Sequence, residues 1–303
     1  MDVQFSENKL IELYIELDDL LESYQKFVVE MKGLTSKKTT RVPVLSGSEV
    51  GTILVAYHYS GYKNFEYYYK RLILGQYNSW FPDAPSYECF LSYIPRATDM
   101  MTLWLLYTCM RSIRTNLYFV DSKKLEVCHV KREKSHKVFK EYAKKGKSSM
   151  GWFYGLKLHM VVNNLGQIIS FKFTPGNVAD NNHSLLLELF EDLEGYCVGD
   201  KGYISKLFVF FYEKKLHLIT RPRKNMKQIP VLPIHNKLLN KRGVIESVYD
   251  ILTSICDLEH SRHRKPENAY NHMTAALIAY QYLDKKPTVF FPSIKHKHIV
   301  RVA

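Results

Sequence analysis

Apolar side chains recur every three or four residues near the start of the chain, which is the pattern of an amphipathic helix. The positions that define this helix are Leu10, Leu13, Tyr14, Leu17, Leu20, Leu21 and Tyr24. Ser46 and Glu49 then have the spacing of a capping box, so we expect a second helix that continues through Tyr57. Three further helical patterns occupy residues 62–74, 86–93 and 98–112. Residues 1–112 are therefore predicted to form an all-helical region.

From residue 113 onward, apolar and polar positions alternate, which predicts strands. Residues 116–120 form a short apolar strand that we expect to end at Asp121. Residues 156–162 and 169–174 alternate on either side of the turn sequence NNLG and predict a β-hairpin. Shorter patterns predict strands over 196–199 and 216–220 and helices over 182–193, 204–215, 241–255 and 269–283. We expect residues 113–303 to form an α/β domain with a mixed sheet flanked by helices.

The net charge favours a polyanionic partner. Lysine and arginine number 43 and aspartate and glutamate 30, which gives a formal charge of +13 and a pI near 9.3. A basic excess of this size attracts nucleic acid at long range. Ribosome-associated proteins and proteins that bind anionic membranes are also basic, so charge alone leaves those classes open.

Other features of the sequence exclude several classes of protein. Five cysteines, an odd number without a CxxC pair, are expected to be reduced core residues of a cytosolic protein. The N-terminal sequence is acidic and periodic, unlike a signal peptide. No apolar run approaches the roughly 20 residues of a membrane span, so we expect no membrane partner.

An aspartate follows the apolar strand pattern in YCVGDKGY, residues 196–203. Because burial penalises a charged carboxylate, Asp200 requires either a turn that uses its side chain or a nearby cation. The flanking glycines let the backbone bend close to a bound group. Asp121 is expected at the end of the first strand, where aspartate is also a common turn residue. Ligands of α/β sheets bind at the carboxyl ends of strands, so both aspartates are candidate site residues.

A third carboxylate lies on the predicted helix with the sequence KRGVIESVYDIL. Glu246 follows Arg242 by four residues, which is also the spacing of an ordinary helix ion pair. Asp250, four residues later, is an alternative third carboxylate. Carboxylate oxygens are the preferred ligands of Mg²⁺ and Mn²⁺, and a pair of such ions can promote in-line displacement at a phosphodiester. A basic protein with an acidic cluster suits that chemistry.

Five stretches of the chain resemble the DDE transposases of bacterial insertion sequences. They are FVDSKK, YGLKLHMVVNNLGQIISFKFTPGNVAD, VGDKGY, HLITRPRKNMK and KRGVIES. The likeness is strongest to the IS-nine-eight-two group within the broader IS-four-like transposases, and SGYKNFEYYYKRL with FPDAPSYECFLSYIP resembles the helical N-terminal part of those proteins. The resemblance covers about residues 46–283. It implies an RNase H-like fold in which Asp121, Asp200 and Glu246 are catalytic and hold two Mg²⁺ ions, for which Mn²⁺ would substitute.

The resemblance also implies a function. A DDE transposase cleaves phosphodiesters at the ends of its element and joins the 3′-hydroxyl to target DNA, so the expected partners are terminal inverted repeats and target DNA. Two ends must be processed together, which favours a homodimer on DNA, and the expected location is the bacterial cytoplasm at the nucleoid. Two alternatives stay open: a nuclease or resolvase of the same fold that cuts without joining, and a DNA-binding protein whose catalytic function has decayed.

One part of the related motif is missing. Related transposases often have a tyrosine three residues before the arginine and a lysine seven residues after the glutamate, but this chain has Leu239 and Thr253 there. The DNA contact of that lysine must therefore come from another residue or be absent.

Basic residues follow the first candidate strand and the later strand at 216–220, and they could contact DNA phosphates. The predicted DNA-binding residues are Lys123, Lys124, Lys131, Arg132, Lys134, Lys201, Arg221, Arg223, Lys224, Lys227 and Arg242. A charge run such as 131–147 is as often only a solvated surface. The helical region at 1–112 is expected to read the inverted repeats. Cys256, His260 and His263 have roughly helical spacing, but they lack further ligands for zinc and are expected to be solvated or packed.

Overall fold

The computed structural model describes residues 6–32, 43–148, 151–222, 232–259 and 263–291. The chain divides into two compact units. The helical unit comprises Met1–Thr108 and Leu252–Tyr282, and the sheet unit comprises Cys109–Ile251 and Leu283–Ala303. The division into a DNA-binding region at residues 1–112 and a catalytic domain at residues 113–303 stays a prediction.

The helical unit contains no strand among its described residues, in agreement with the all-helical pattern of the N-terminal sequence. Its elements are α1 (Glu7–Lys32), α2 (Gly47–Tyr57), α3 (Phe65–Tyr68) with a π-helical extension (Tyr69–Gln76), α4 (Tyr87–Phe90), a 3₁₀ turn (Ile94–Ala97), most of α5 (Thr98–Arg111) and, near the other end of the chain, α10 (Pro266–Gln281). The segment predicted as one helix over 62–74 is thus a short α-helix that widens into a π-helix.

Local sequence explains how α1 and α2 pack. The predicted capping box is confirmed, since the Ser46 hydroxyl accepts from the Glu49 backbone N–H at 3.1 Å and the Glu49 carboxylate accepts from the Ser46 N–H at 2.7 Å. Leu13 and Leu17 of α1 are fully buried. Gly51 of α2 lies so close to the Leu17 side chain that a Cβ would clash with it. The absent side chain therefore lets the two helices approach closely.

The sheet unit contains six strands and four helices among its described residues, counting α9, which ends in the helical unit. The strands are β1 (Leu117–Cys128), β2 (Lys144–Ser148), β3 (Gly151–Asn163), β4 (Ile168–Pro175), β5 (Gly195–Val198) and β6 (Leu216–Ile219). The helices are α6 (His183–Leu189), α7 (Phe208–Glu213), α8 (Pro233–Leu239) and α9 (Gly243–Ser254). The architecture is α/β with a mixed sheet, as the sequence pattern predicts.

The strand order is β2-β3-β1-β5-β6, with β4 also paired to β3. β1, β3 and β4 are antiparallel neighbours, whereas β1, β5 and β6 run parallel. β2 pairs with the first part of β3 and β4 with the second part, so the two follow one another along the same edge. The predicted β3–β4 hairpin is confirmed, and β3 begins earlier than the alternation indicates.

A hydrophobic core fills one side of the sheet. Tyr118 and Val120 of β1, Cys197 of β5, and Leu186 and Phe190 in and after α6 belong to it, each almost fully buried. Because β1 lies between β3 and β5, its buried residues fix the positions of both neighbours. The residue that follows this buried stretch, Asp121, is thereby held at a defined place in the sheet.

Several predicted boundaries are wrong. β1 continues for seven residues beyond Asp121, which therefore lies within the strand and not at its end. β2, inside the basic run, and α8 were not anticipated, and α6 and α7 are shorter than the patterns at 182–193 and 204–215. Of the cysteines, Cys109, Cys197 and Cys256 are buried as expected, but Cys89 is exposed. In the part of the chain that is described, none of the helices has the length and apolar character needed to cross a membrane.

Candidate active site

Asp121 is the first carboxylate of the site and lies where the central strand leaves the core. It pairs with Met160 across β1 and β3, and its side chain is 21% exposed. Burial raises the pKa of the Asp121 carboxyl to about 6, against the opposing effects of the Ser122 backbone N–H and Arg242. The negative charges of Asp200 and Asp180 raise this pKa further.

Helix α9 is attached to the sheet beside Asp121. The buried Tyr249 hydroxyl lies 2.9 Å from the carbonyl oxygen of Asp121 and 3.2 Å from that of Leu158, so one side chain fixes the helix to β1 and β3. Arg242, Glu246 and Tyr249 are spaced by four and three residues, which places them on one face of the helix and its N-terminal turn. The anchor therefore orients Arg242 and Glu246 toward Asp121.

The Arg242 guanidinium joins two of the predicted carboxylates. Its Nη1 lies 3.0 Å from Asp121 Oδ2 and its Nη2 lies 2.6 Å from Glu246 Oε1. The helix ion pair between Arg242 and Glu246, which the sequence left open as an alternative, is therefore present, and it also includes Asp121. Glu246 is half-exposed, and Asp250 is exposed. A strand and a helix that are distant in sequence thus share one cation.

Asp200 follows β5 and caps the short 3₁₀ turn Lys201–Tyr203. Its Oδ1 accepts a hydrogen bond from the Gly202 backbone N–H, which is the turn reading of this residue. β1 and β5 pair in parallel, with Phe119 opposite Val198, so Asp121 and Asp200 each follow this pair by two residues. The carboxylate itself is exposed and available to a ligand.

Sequence reasoning missed a fourth carboxylate, Asp180. Its Oδ1 accepts from Ser122 Oγ at 2.9 Å and from Lys157 Nζ at 3.0 Å. A Cβ built on Gly202 would lie 3.1 Å from Asp180 Oδ2 and 2.8 Å from Asp200 Oδ1, so both carboxylates border the same small space. The only signal in the sequence was the segment TPGNVAD. Its aspartate comes five residues after the end of β4 and follows a Pro-Gly turn.

His159 lies beside this group but is neutral. Burial lowers its pKa to about 4, because the ring is fully buried, and its Nε2 is 3.0 Å from Thr174 Oγ1. Its Nδ1 is 3.7 Å from Asp180 Oδ1. The histidine therefore contributes shape and polarity at neutral pH, but no positive charge.

The site has the donor chemistry of a divalent metal site. Asp121, Asp180, Asp200 and Glu246 offer only carboxylate oxygens, which suit hard cations such as Mg²⁺, and Gly202 leaves room between two of them. Among the described residues, however, no three His, Cys, Asp or Glu side chains converge closely enough to form a metal centre as they stand. Arg242 provides the positive charge between Asp121 and Glu246. The four carboxylates suit a divalent ion chemically, but Arg242 would first have to release Asp121 and Glu246.

The comparison with known families decides the assignment. Residues 111–266, more than half of the 303-residue chain, match the family described as Transposase DDE domain. The chain belongs to the DDE transposase family. The matched region contains Asp121, Asp180, Asp200, Arg242 and Glu246. No curated protein matches the transposase closely enough to count as a relative.

Membership of the family gives the transposase its coarse function. A transposase acts enzymatically on DNA during DNA transposition, which agrees with the formal charge of +13. DDE transposases generally use divalent metal ions. The resemblance of the sequence to DDE transposases is thus confirmed at the level of the family.

The predicted DNA-contacting residues of the transposase have different environments. Lys131, Arg132 and Lys134 are exposed in and after a 3₁₀ turn, and Lys201 is exposed beside Asp200. Lys124 pairs with Glu126 at 2.7 Å, and Arg221 donates to Asn240 at 3.1 Å. Lys123 lies over the Tyr249 ring at 5.9 Å. Arg223, Lys224 and Lys227 lie outside the described residues, as does His260.

Proposed function

We propose that this transposase cleaves phosphodiesters at the ends of an insertion sequence and joins the freed 3′-hydroxyl to target DNA. In this proposal Asp121, Asp200 and Glu246 are the catalytic carboxylates, and the element belongs to the IS-nine-eight-two group of the IS-four-like transposases. The supporting observation is that Arg242 joins Asp121 to Glu246, while the parallel pairing of Phe119 with Val198 directs Asp200 toward Asp121. This arrangement supports a site formed by carboxylates from β1, the turn after β5 and α9.

The topology supports an RNase H-like fold for the catalytic domain. An antiparallel group of β4, β3 and β1 continues into a parallel group of β1, β5 and β6. The parallel pairing of Phe119 with Val198 supports an approach of Asp200 to Asp121. Helix α9 then supplies Glu246 from outside the sheet.

The proposed cofactor is Mg²⁺, with Mn²⁺ as a substitute, bound as two ions. When bound, such a pair would supply Lewis-acid stabilisation of the attacking and leaving oxygens of a phosphodiester. Asp121 and Asp200 would hold both ions, and Glu246 would complete one coordination sphere. Arg242, once released from the two carboxylates, would remain within reach of the DNA phosphate. His159 is excluded as a general base, because it is buried and bonded to Thr174.

Basic side chains would position the DNA. Lys123 and Lys124 follow Asp121 along β1, and Lys201 follows Asp200, so phosphates approaching either carboxylate meet a lysine. The exposed Lys131, Arg132 and Lys134 extend the positive surface. We propose that the helical N-terminal region reads the inverted repeats and that the protein works as a homodimer on DNA at the nucleoid.

A strand-transfer assay tests the proposal. The purified protein is incubated with labelled DNA carrying the ends of its own element, a target plasmid and Mg²⁺ or Mn²⁺. Joined products support transposition, whereas cleavage without joining supports the nuclease or resolvase alternative. Binding without cleavage or joining by the wild type would support the decayed DNA-binding protein.

The role of the carboxylates is tested with Asp200→Asn. We expect cleavage to fall about a thousandfold or more, the size seen when a member of a catalytic group is removed, while DNA binding is retained. Asp83→Asn, an exposed aspartate of the helical unit, is the matched control and should cleave like the wild type. Equal cleavage by Asp200→Asn and the control would refute the assignment. Manganese binding, followed by electron paramagnetic resonance, should weaken only in Asp200→Asn.

A further inference from the structure

Trp152 places an exposed indole ring near the beginning of β3. The residue is 59% exposed, whereas Tyr154, the next side chain on the same face of the strand, is buried, with its ring centroid 6.2 Å from that of His136. Leu158, further along this face, is fully buried. The row of apolar side chains is thus covered up to Tyr154 and ends in one large ring that faces solvent.

Two lysines of the edge strand β2 converge on this ring. Lys147 pairs with Trp152 across β2 and β3, and Lys145 lies two residues earlier on the same face. Their Nζ atoms are 5.7 Å and 5.1 Å from the centroid of the indole ring. Both lysines are exposed, and among the residues that the structure describes neither forms an ion pair with a carboxylate. Two positive charges therefore meet at one ring without a counter-charge, which favours an anionic ligand.

The segment between β1 and β2 adds positive charge beside this ring. Its His136 contacts Tyr154, so the segment packs on the face of β3 that carries Trp152. Residues 131–147 contain eight lysines and arginines against two glutamates. The exposed cations of this segment before β2 are Lys131, Arg132, Lys134, Lys137 and Lys140. A chain of phosphates suits such a surface better than a single small anion, and the family acts on DNA.

Protection of the sheet edge is an alternative role for the two lysines. β2 lies at the edge of the sheet, and lysines on an edge strand prevent pairing with another chain. That role does not require an aromatic ring beside them, and Trp152 belongs to the inner strand β3. A ligand that uses both the ring and the charges accounts for all three side chains.

We infer that Trp152 stacks on an unpaired base of DNA, while Lys145 and Lys147 contact the phosphates beside that base. Bases of every type have a flat face that stacks on aromatic rings, so this contact does not depend on sequence. The ammonium groups would pass from the ring to the phosphates, because an exposed cation–π contact is weaker than base stacking. In an intact duplex the base faces are covered by neighbouring bases, so the ligand is single-stranded or locally unpaired DNA.

Intrinsic fluorescence tests the stacking directly, because a base stacked on an indole ring quenches its emission. The other two tryptophans, Trp80 and Trp104, lie in the helical unit. The full chain is titrated, in the presence of a chelator, with oligodeoxythymidylate and with duplex DNA of equal length. We expect the single strand to quench the wild type and Trp80→Phe, with little quenching in Trp152→Phe. Equal quenching in the two variants, no quenching of the wild type, or equal quenching by the duplex overturns the inference.

Two variants at Trp152 test the need for an aromatic face. Trp152→Leu keeps an apolar side chain without a ring and should weaken single-strand binding about tenfold, the effect of losing one stacked base. Trp152→Phe keeps a ring and should stay within about threefold of the wild type. Fluorescence anisotropy of labelled oligodeoxythymidylate measures both affinities, and circular dichroism verifies folding. Wild-type affinity in folded Trp152→Leu refutes the stacking. If Trp152→Leu does not fold, the quenching in Trp152→Phe decides alone.

The salt dependence of single-strand binding tests the lysines. Each phosphate contact contributes about 0.7 to the slope of log K against log salt, so Lys145→Gln and Lys147→Gln should each lower the slope by that amount. Lys215→Gln removes an exposed lysine that pairs with Glu194, and this matched control should leave the slope unchanged. Wild-type slopes in Lys145→Gln and Lys147→Gln would refute the phosphate contacts and leave edge protection as the role of these lysines.

The inference deepens the proposed function, because it names a further contact with DNA, but it does not rest on the roles of the carboxylates. Asp200→Asn should therefore bind the single strand and show quenching like the wild type, even when cleavage is lost. Failure of the proposed catalysis and failure of the Trp152 contact are thus distinguishable.

Discussion

The two units differ in the charge state of a buried titratable group: one keeps a carboxylate next to a cation, and the other keeps a histidine neutral. In the sheet unit, Asp121 has charged neighbours, and Arg242 forms ion pairs with both Asp121 and Glu246. In the helical unit, His58 is kept uncharged by burial and by the neighbouring His272, His263 and Lys63, which lower its pKa well below the usual range. The first arrangement favours an exchange of cations, whereas the second keeps a buried imidazole neutral. A single basic chain thus combines two different kinds of polar site.

The largest expected change in the free energy of unfolding concerns Asp121 and depends on pH. The folded protein raises the pKa of Asp121 from 3.8 to about 6, so the wild type loses stability progressively as the pH rises from 3.8 to about 6, and the loss is complete above that pH. Asp121→Asn should therefore increase the free energy of unfolding by about 2 kcal/mol at pH 8, since one pKa unit corresponds to about 1.4 kcal/mol. Below pH 3.8 the difference should vanish, because both side chains are then uncharged.

Urea denaturation in the presence of a chelator measures this difference. Asp83→Asn serves as the control, and its stability should match that of the wild type at both pH values. A destabilised Asp121→Asn protein at pH 8 would mean that the contact with Arg242 outweighs the desolvation of the carboxylate.

The opposite sign is expected for His58. Its folded-state pKa is lowered, so the unfolded chain takes up the proton first and the wild type loses stability as the pH falls below 6.5. His58→Asn cannot titrate and keeps an N–H donor for the Cys256 carbonyl. By pH 5 the variant should have lost about 1–2 kcal/mol less than the wild type.

Thermal and urea unfolding at pH 8 and pH 5 provide the measurement. His129→Asn, which changes an exposed histidine of the sheet unit, is the matched control. Parallel losses in His58→Asn and the wild type would show that His58 does not remain neutral in the folded state.

The smallest expected effect concerns the attachment of α9. Tyr249→Phe removes the hydroxyl that bonds the Asp121 and Leu158 carbonyl oxygens, and it should cost about 1 kcal/mol of unfolding free energy. Cleavage should also fall, because Arg242 and Glu246 are then less firmly oriented. Tyr212→Phe, at a 64% exposed tyrosine, is the control and should change neither quantity. Wild-type stability and cleavage in Tyr249→Phe would contradict the anchoring role.

Sequence patterns predicted the elements whose signal is local. The β3–β4 hairpin alternates strictly around a tight turn, and the Ser46–Glu49 capping box uses side chains that lie within one turn. The extension of β1 past Asp121 could not be read in this way, since Ser122, Lys123 and Lys124 are weak strand formers. Pairing with β3 imposes the extended conformation on them, which is a tertiary effect.

The site was predictable only in part for the same reason. Asp121, Asp200 and Glu246 stand in recognisable sequence contexts, and their catalytic roles stay a prediction. Asp180 was missed, because Ser122 and Lys157 come from two other strands and only the folded sheet brings them together. A cavity of about 520 Å³ in the helical unit could not be predicted from the sequence either, because α10, which is distant in the chain, contributes to its wall.

The double contact of Arg242 has a practical consequence for handling the protein. Since Arg242 already pairs with two carboxylates, the proposed site can assemble during synthesis before a divalent ion binds. Preparations stripped of divalent ions should therefore stay folded and regain activity when the ion is added back. In the proposed mechanism, folding of the polypeptide and the start of catalysis are separate events, and addition of the ion would start the second.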